Sequence, residues 1–122
     1  MQHAIQNFQI PVVDFSRALT FYSSVMGYDL EVMETPQFHL GIFRADSGGV
    51  GGTIIKSDEL TPSATGTMVY LHVGADLQPH LNRIEQAGGA IDVSKTQLGP
   101  GMGYFAIFRD TEGNRVGLYS EG

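Results

Sequence analysis

The strongest constraint on this 122-residue chain is that one order of elements occurs in it twice. Residues 5–13 alternate Phe8, Ile10 and Val12 against Asn7, Gln9 and Pro11, the two-residue period of a strand buried on one face. Asp14 stands where a helix N-cap belongs. Phe15, Ala18, Leu19, Phe21, Tyr22, Val25 and Met26 follow on a helical stripe that Gly27 ends. Strands are expected over residues 28–33, 38–45 and 50–56, the first two divided by the turn signal Glu34-Thr35-Pro36. Residues 57–66 are polar and rich in breakers, and read as a linker. The pattern then restarts with a strand over 67–73 and a helix capped by Asp76 that carries Leu77, Leu81, Ile84 and Ala87. Pro79 sits in its first turn, Gly88-Gly89 ends it, and strands are expected over 90–95, 104–109 and 115–120.

The two halves match residue by residue. A shift of 65 lays Ile42-Phe43-Arg44 over Ile107-Phe108-Arg109, Gly48 over Gly113 and Gly52 over Gly117. A shift of 62 lays Asp14 over Asp76, Leu19 over Leu81 and Gly27 over Gly89. Shared apolar patterning explains some of these matches, but cap, stop and hairpin glycines coincide as well, which favours duplication. The expectation is one α+β domain over residues 1–122, with module 1 over 1–56 and module 2 over 67–122. Two tandem βαβββ modules would form curved mixed sheets around a cleft, with the helices on their outer faces.

Composition removes several function classes. With 7 Lys plus Arg against 13 Asp plus Glu, the formal charge of -6 repels a nucleic-acid backbone and an anionic membrane surface. The chain has no cysteine, hence no disulfide, thiolate metal site or Cys nucleophile. The stretch from Met1 to Asn7 lacks a basic region and a long apolar run, and no apolar run approaches the roughly 20 residues of a membrane span. A cytoplasmic protein is expected. Glycine numbers 16, so many tight turns or close backbone approaches are needed.

The stretch Ile10-Pro-Val-Val-Asp-Phe-Ser-Arg-Ala-Leu-Thr-Phe-Tyr22, then Met26-Gly27 and Phe108-Arg-Asp-Thr-Glu-Gly-Asn-Arg-Val-Gly-Leu-Tyr119, resembles the vicinal oxygen chelate superfamily. That superfamily includes glyoxalase I, bleomycin-resistance proteins, fosfomycin-resistance transferases, methylmalonyl-CoA epimerase and extradiol dioxygenases. The resemblance covers nearly the whole chain and implies a cleft that binds a divalent metal through His, Gln or Glu. It carries the ligand positions to Asn7, Gly52, Val69 and Gly117. Glycine and valine have no ligating side chain, and an Asn amide alone is a feeble ligand. The expectation is therefore no metal and no cofactor, with Gly52 and Gly117 widening the cleft for a small organic molecule. Alternatively, the two glycines simply ease strand bending.

Among polar residues, His39 matches Tyr104 in the repeat, and the pair is the candidate acid and base if both line the cleft. Packing beside the sheet is the other reading. Asn7 and Gln9 on the first strand, and Arg115 and Tyr119 flanking Gly117 on the last, are candidate cleft residues by alternation. The Arg115 fork suits a carboxylate or phosphate, or else serves as a surface charge. His72 is expected on the helix side of its strand and His80 toward solvent. There is no P-loop and no dinucleotide fingerprint. Three functions follow: a metal-independent, small-molecule-binding or enzyme-like protein of lyase or isomerase type; a drug- or metabolite-sequestering module; and a metal-dependent lyase or dioxygenase with ligands recruited from His39, His72 and carboxylates. A homodimer is expected from the resemblance and from the commonness of two-fold oligomers.

Overall fold

In the computed structural model, which describes residues 3–122, β1 (Asn7–Pro11) turns Ile10 into the core and leaves Asn7 and Gln9 exposed. Met1 and Gln2, part of the N-terminal stretch read above, lie outside the described residues. The next element, α1 (Phe15–Met26), starts where the Asp14 carboxylate accepts from the Arg17 N–H at 3.0 Å. It ends at Gly27, whose φ of 84° is the left-handed conformation that glycine adopts without a Cβ penalty. Ala18, Phe21, Tyr22 and Val25 are its buried face. β2 (Glu31–Glu34), β3 (Phe38–Ile42) and β4 (Gly51–Ser57) complete the first module. The second runs β5 (Tyr70–His72), α2 (Gln78–Asn82), β6 (Ala90–Gln97), β7 (Tyr104–Arg109) and β8 (Arg115–Ser120).

The sheets are ordered β1-β4-β3-β2 and β5-β8-β7-β6. In each, the first strand runs parallel to the fourth and the other pairs are antiparallel. The architecture is α+β, two tandem βαβββ modules, as the repeat requires. The second helix is shorter than expected. Asp76 bonds the Gln78 N–H at 2.9 Å, but beyond Asn82 the Arg83 and Ile84 N–H groups reach back only three residues. Leu77, Leu81 and Ile84 are buried all the same, so the apolar stripe is satisfied by tight turns in place of a regular helix. No helix among the described residues is long and apolar enough to cross a membrane.

Each helix covers one face of its own sheet, and the covered faces of the two sheets turn toward each other around one core. Tyr22 of α1 meets Phe43 beyond β3 at 5.5 Å and Phe108 of β7 at 6.4 Å. Phe21 meets Phe108 at 5.9 Å. The uncovered faces of both sheets consequently look away from that core.

The β7–β8 turn locks this arrangement. Asp110 is buried and accepts from the Tyr22 hydroxyl at 2.7 Å, from the Glu112 and Asn114 N–H groups at 2.8 Å each, and from Asn114 Nδ2 at 2.9 Å. Asn114 Nδ2 also donates to the Pro11 carbonyl at 2.6 Å. The Glu112 side chain is fully enclosed and accepts from the Val13 and Asp14 N–H groups at 2.9 and 2.7 Å and from Arg17 Nε at 2.7 Å. Burial works to raise its carboxyl, but the bonds from Arg17, Asp14, Thr111 and Val13 prevail and lower it from 4.5 to about 2. Burial, then Asp110, pushes the Tyr22 phenol well above its ordinary range.

A depressed carboxyl stabilises the fold above its unfolded value and loses that contribution as pH falls toward the folded one. Glu112→Gln is therefore expected to cost about 2 kcal/mol at pH 7. The gap between wild type and variant in urea unfolding should close between about pH 5 and pH 2, the window set by the Glu112 shift. A gap independent of pH would show that the charge of Glu112 is idle.

Candidate functional site

Strand register decides which side chains occupy the outward faces. In the first sheet Gln9 is paired with Thr53, and Thr53 with Ile42. Asn7, Gln9, Thr53, Ile42 and Leu40 therefore share the uncovered face, opposite the core residues Ile10 and Ile54. Thr53 Oγ1 is buried without a hydrogen-bond partner. In the second sheet Tyr70 is paired with Gly117, and Gly117 with Ile107. Arg115, Gly117, Tyr119, Tyr70, Phe105 and Ile107 share its uncovered face, opposite the core residues Leu71 and Leu118.

Two sets of expected site residues fall elsewhere. His39 and Tyr104 hold matching places, but on the helix side, because they share strand parity with the core pairs Gly41 and Phe43, and Ala106 and Phe108. The His39 ring packs on Phe15 of α1 at 5.5 Å, with Nδ1 at 3.3 Å from Glu34. Tyr104 packs against the core under Lys95, whose Nζ is 4.7 Å from its ring centre. The expected cleft pair is not formed. Gly52 and Val69 also face the helix side. Ile54 matches Leu118 in the core, so the fourth strands align at a shift of 64, because the first hairpin is one residue longer than the second. Thr53, not Gly52, is the counterpart of Gly117. Likewise Ile10 matches Leu71 at a shift of 61, which makes Tyr70 the counterpart of Gln9 and puts Val69 toward the core. The signal was present in the apolar residues nearby, since Ile54 stands two residues after Gly52 but Leu118 only one after Gly117.

The histidines move with these shifts. His72 is exposed on the uncovered face, 5.0 Å from Tyr119 and 3.7 Å from Glu121. His80 turns inward, its Nδ1 at 2.8 Å from the Val25 carbonyl at the end of α1, beside Arg83 Nη2 at 3.0 Å from the same oxygen.

Both small residues sit under aromatic rings. A Cβ on Gly52 would meet the Phe8 ring at 2.5 Å, and one on Gly117 would overlap the Tyr70 ring. The two glycines thus do not widen a cleft; each is the floor on which a first-strand aromatic lies flat. This bears on the divalent metal that the resemblance implies. The uncovered faces offer neutral amides at Asn7 and Gln9, a hydroxyl at Thr53, a single imidazole at His72 with Glu121 at 3.7 Å, and a phenol lying across Gly117 where a ligating side chain would stand. No group of three His, Cys, Asp or Glu residues suited to a metal occurs among the described residues. This donor set does not fit a divalent ion.

Two features on or beside these faces are polar enough to hold a ligand. On β6, Ala90 is paired with Arg109 on the uncovered face, and alternation puts Asp92 on that face too, just ahead of the register shift that ends at Val93. There Asp92 Oδ2 accepts from Arg109 Nε at 3.0 Å and from Arg115 Nε at 3.1 Å, and the Arg109 bond leads in lowering the Asp92 carboxyl. At the joint between modules, a half-open groove of about 1510 Å³ runs from Asn7 and Phe8 past Tyr28 and Phe43 to Met68 and Tyr70. Arg44 lies 4.3 Å over the Tyr28 ring at its rim. Asn7, Val69 and Tyr70 all line this groove, so Val69 contributes from the core side.

A family model described as the Glyoxalase/Bleomycin resistance protein/Dioxygenase superfamily matches residues 4–118. A glyoxylase-like domain-containing protein of Didymella fabae is 30% identical over 115 residues, covering 90% of this chain and 88% of that protein. The crystal structure of a glyoxalase/bleomycin resistance protein from Albidiferax ferrireducens T118 superposes with a TM-score of 0.73 at 15% identity, covering 97% of this chain and 99% of the other. TnmS3, an antibiotic binding protein from Streptomyces sp. CB03234, superposes with a TM-score of 0.69 at 23% identity, covering 100% and 98%.

The ring-on-glycine contacts differ in their freedom to yield. Phe8 packs against the core and lies 5.5 Å from Phe43, whereas Tyr70 is 48% exposed. Gly52→Ala is expected to cost about 1–3 kcal/mol by overpacking. Gly117→Ala should cost less than about 1 kcal/mol, since Tyr70 can swing away. Thermal unfolding of the two variants side by side tests the assignment, and equal losses would refute it.

Proposed function

The chain belongs to the Glyoxalase/Bleomycin resistance protein/Dioxygenase superfamily, and on that premise we propose that it binds a small organic molecule, without a resident metal, in a cleft completed by a second copy of itself. The observation that carries this reading is the direction of the sheets. With both helix-covered faces spent on the shared core, one chain offers only the half-open groove between Asn7 and Tyr70, and a two-fold dimer would lay a second-module face over a first-module face twice. The first-module face would contribute Asn7, Gln9 and Thr53, and the second Arg115, Gly117, Tyr119 and Tyr70. Half-buried Leu40, Ile42 and Phe105 would give the pocket its apolar body.

Binding without turnover is the better supported form of this proposal. Proton transfer by His39 with Tyr104 loses its footing, because both side chains lie on the helix side of their strands. The want of a cluster of three His, Cys, Asp or Glu residues among the described residues supports a metal-independent protein. TnmS3, an antibiotic binding protein of this fold, is an example of the binding class.

The test combines mass and metal. Light scattering is expected to give twice the chain mass, and Tyr70→Glu to shift the protein toward monomer by placing a charge in the interface. Incubation with Zn, Ni, Mn or Fe followed by desalting should leave no stoichiometric metal and an unchanged melting temperature. One metal per chain with a raised melting temperature would overturn the metal-independent reading, and a monomer at all concentrations would overturn the shared cleft.

A further inference from the structure

Arg109 and Arg115 are directly paired across β7 and β8 on the uncovered face of the second sheet. Like charges in that position repel. The neighbouring strand β6 brings one carboxylate between them, and a single oxygen of Asp92 serves both guanidinium groups. The three charges sum to +1, in a chain whose net charge is -6. The other ion pairs of Arg and Lys among the described residues are one to one, Arg17 with Glu112 and Lys95 with Asp76.

The geometry of those bonds leaves donors free. Both arginines are engaged through Nε, and no oxygen among the described residues accepts from the Nη atoms of either. Arg115 Nη1 has only the Met68 sulfur at 4.0 Å. Asp92 holds the two stems in place, with its own side chain 22% exposed, while the arginines are 56% and 35% exposed. Two fixed, outward, adjacent guanidinium ends form an anion receptor. Next to it on the same face lie Ile107 and the Tyr70 ring across Gly117, with Phe105 meeting Tyr70 edge-on at 6.5 Å.

We propose that Arg109 and Arg115, held by Asp92, anchor the carboxylate or phosphate of an anionic ligand whose apolar body lies on Tyr70 and Phe105. This rests on the reading of the uncovered face as a small-molecule site and names the class of molecule it takes. Asp92 is a positioning residue that also competes with the ligand for the same two cations. Its role sets a sign that a purely structural salt bridge would not give. Arg115→Gln or Arg109→Gln should weaken anion binding, whereas Asp92→Asn, which raises the local charge to +2, should strengthen it.

The test uses benzoate, phenyl phosphate, inorganic phosphate and neutral benzyl alcohol, titrated into the full chain and followed by amide and Arg side-chain NMR shifts. Benzoate or phenyl phosphate is expected to shift Arg109, Arg115 and Tyr70, and to bind about tenfold more weakly in either Arg→Gln variant. Binding should tighten severalfold in Asp92→Asn and weaken as salt is raised. A preference between the two aromatic anions separates a carboxylate from a phosphate ligand, and inorganic phosphate alone reports the anchor without the apolar floor. Benzyl alcohol shifting Tyr70 while the anions gain nothing over it would overturn the anchor and leave the binding face standing. No shift on this face with any probe would overturn both. Melting curves of each variant show that it is folded, and anion affinity that ignores all three substitutions would place the anion elsewhere.

Discussion

Asp110 is where the two modules become one body. It sits buried at the β7–β8 turn and satisfies itself with the Tyr22 hydroxyl of the first module and with the amides of its own turn. A buried carboxylate is costly unless its acceptor sites are filled, so the turn can hold its shape only with α1 docked beside it. Asn114 extends the same network to the Pro11 carbonyl, and Glu112 extends it to the amides that open α1. Entry angle, helix start and the packing of Tyr22 between Phe43 and Phe108 all depend on this one turn.

The duplicate of that turn has lost the machinery. At the shift of 65 that aligns β3 with β7, Ala45, Ser47 and Gly49 stand where Asp110, Glu112 and Asn114 stand in the second copy. None of the three can repeat the carboxylate bonds. The groove at the module joint is lined by Ala45 and Gly49 among others, so it opens where the turn side chains are missing. The C-terminal residues bond only within their own module, with the Glu121 and Gly122 N–H groups donating to the Gly74 and Ala75 carbonyls at 3.0 and 2.8 Å. Duplication produced two similar modules, and divergence at three positions made one joint closed and the other open.

The fold was legible because its signals are local. Alternation in residues 7–11, the Asp14 cap and the Gly27 stop all act within a few residues, and the repeat doubled the evidence. The site was harder to read because strand faces alternate with a period of two, so an error of one residue inverts a side chain. Gly52 and Val69 were misplaced by such single-residue errors, as the longer first hairpin and the 61-residue shift of β5 show. Asn7 shares a face with Gln9, and Arg115 with Tyr119, as alternation within a single strand requires. His39 and Tyr104 were matched correctly to each other and still assigned to the wrong side, since symmetry between copies says nothing about which side is covered.

What the sequence by itself determined is the order and type of elements and the family, because each depends on residue identity and near-neighbour spacing. Tertiary structure decided the rest. That the helix-covered faces meet in a single core follows from long-range packing of Phe21 and Tyr22 on Phe108, contacts that no local pattern encodes. That Asp92 joins Arg109 and Arg115 follows from the pairing of β6 with β7 and of β7 with β8, which brings three residues remote in sequence to one face and is set between strands rather than by any residue within one.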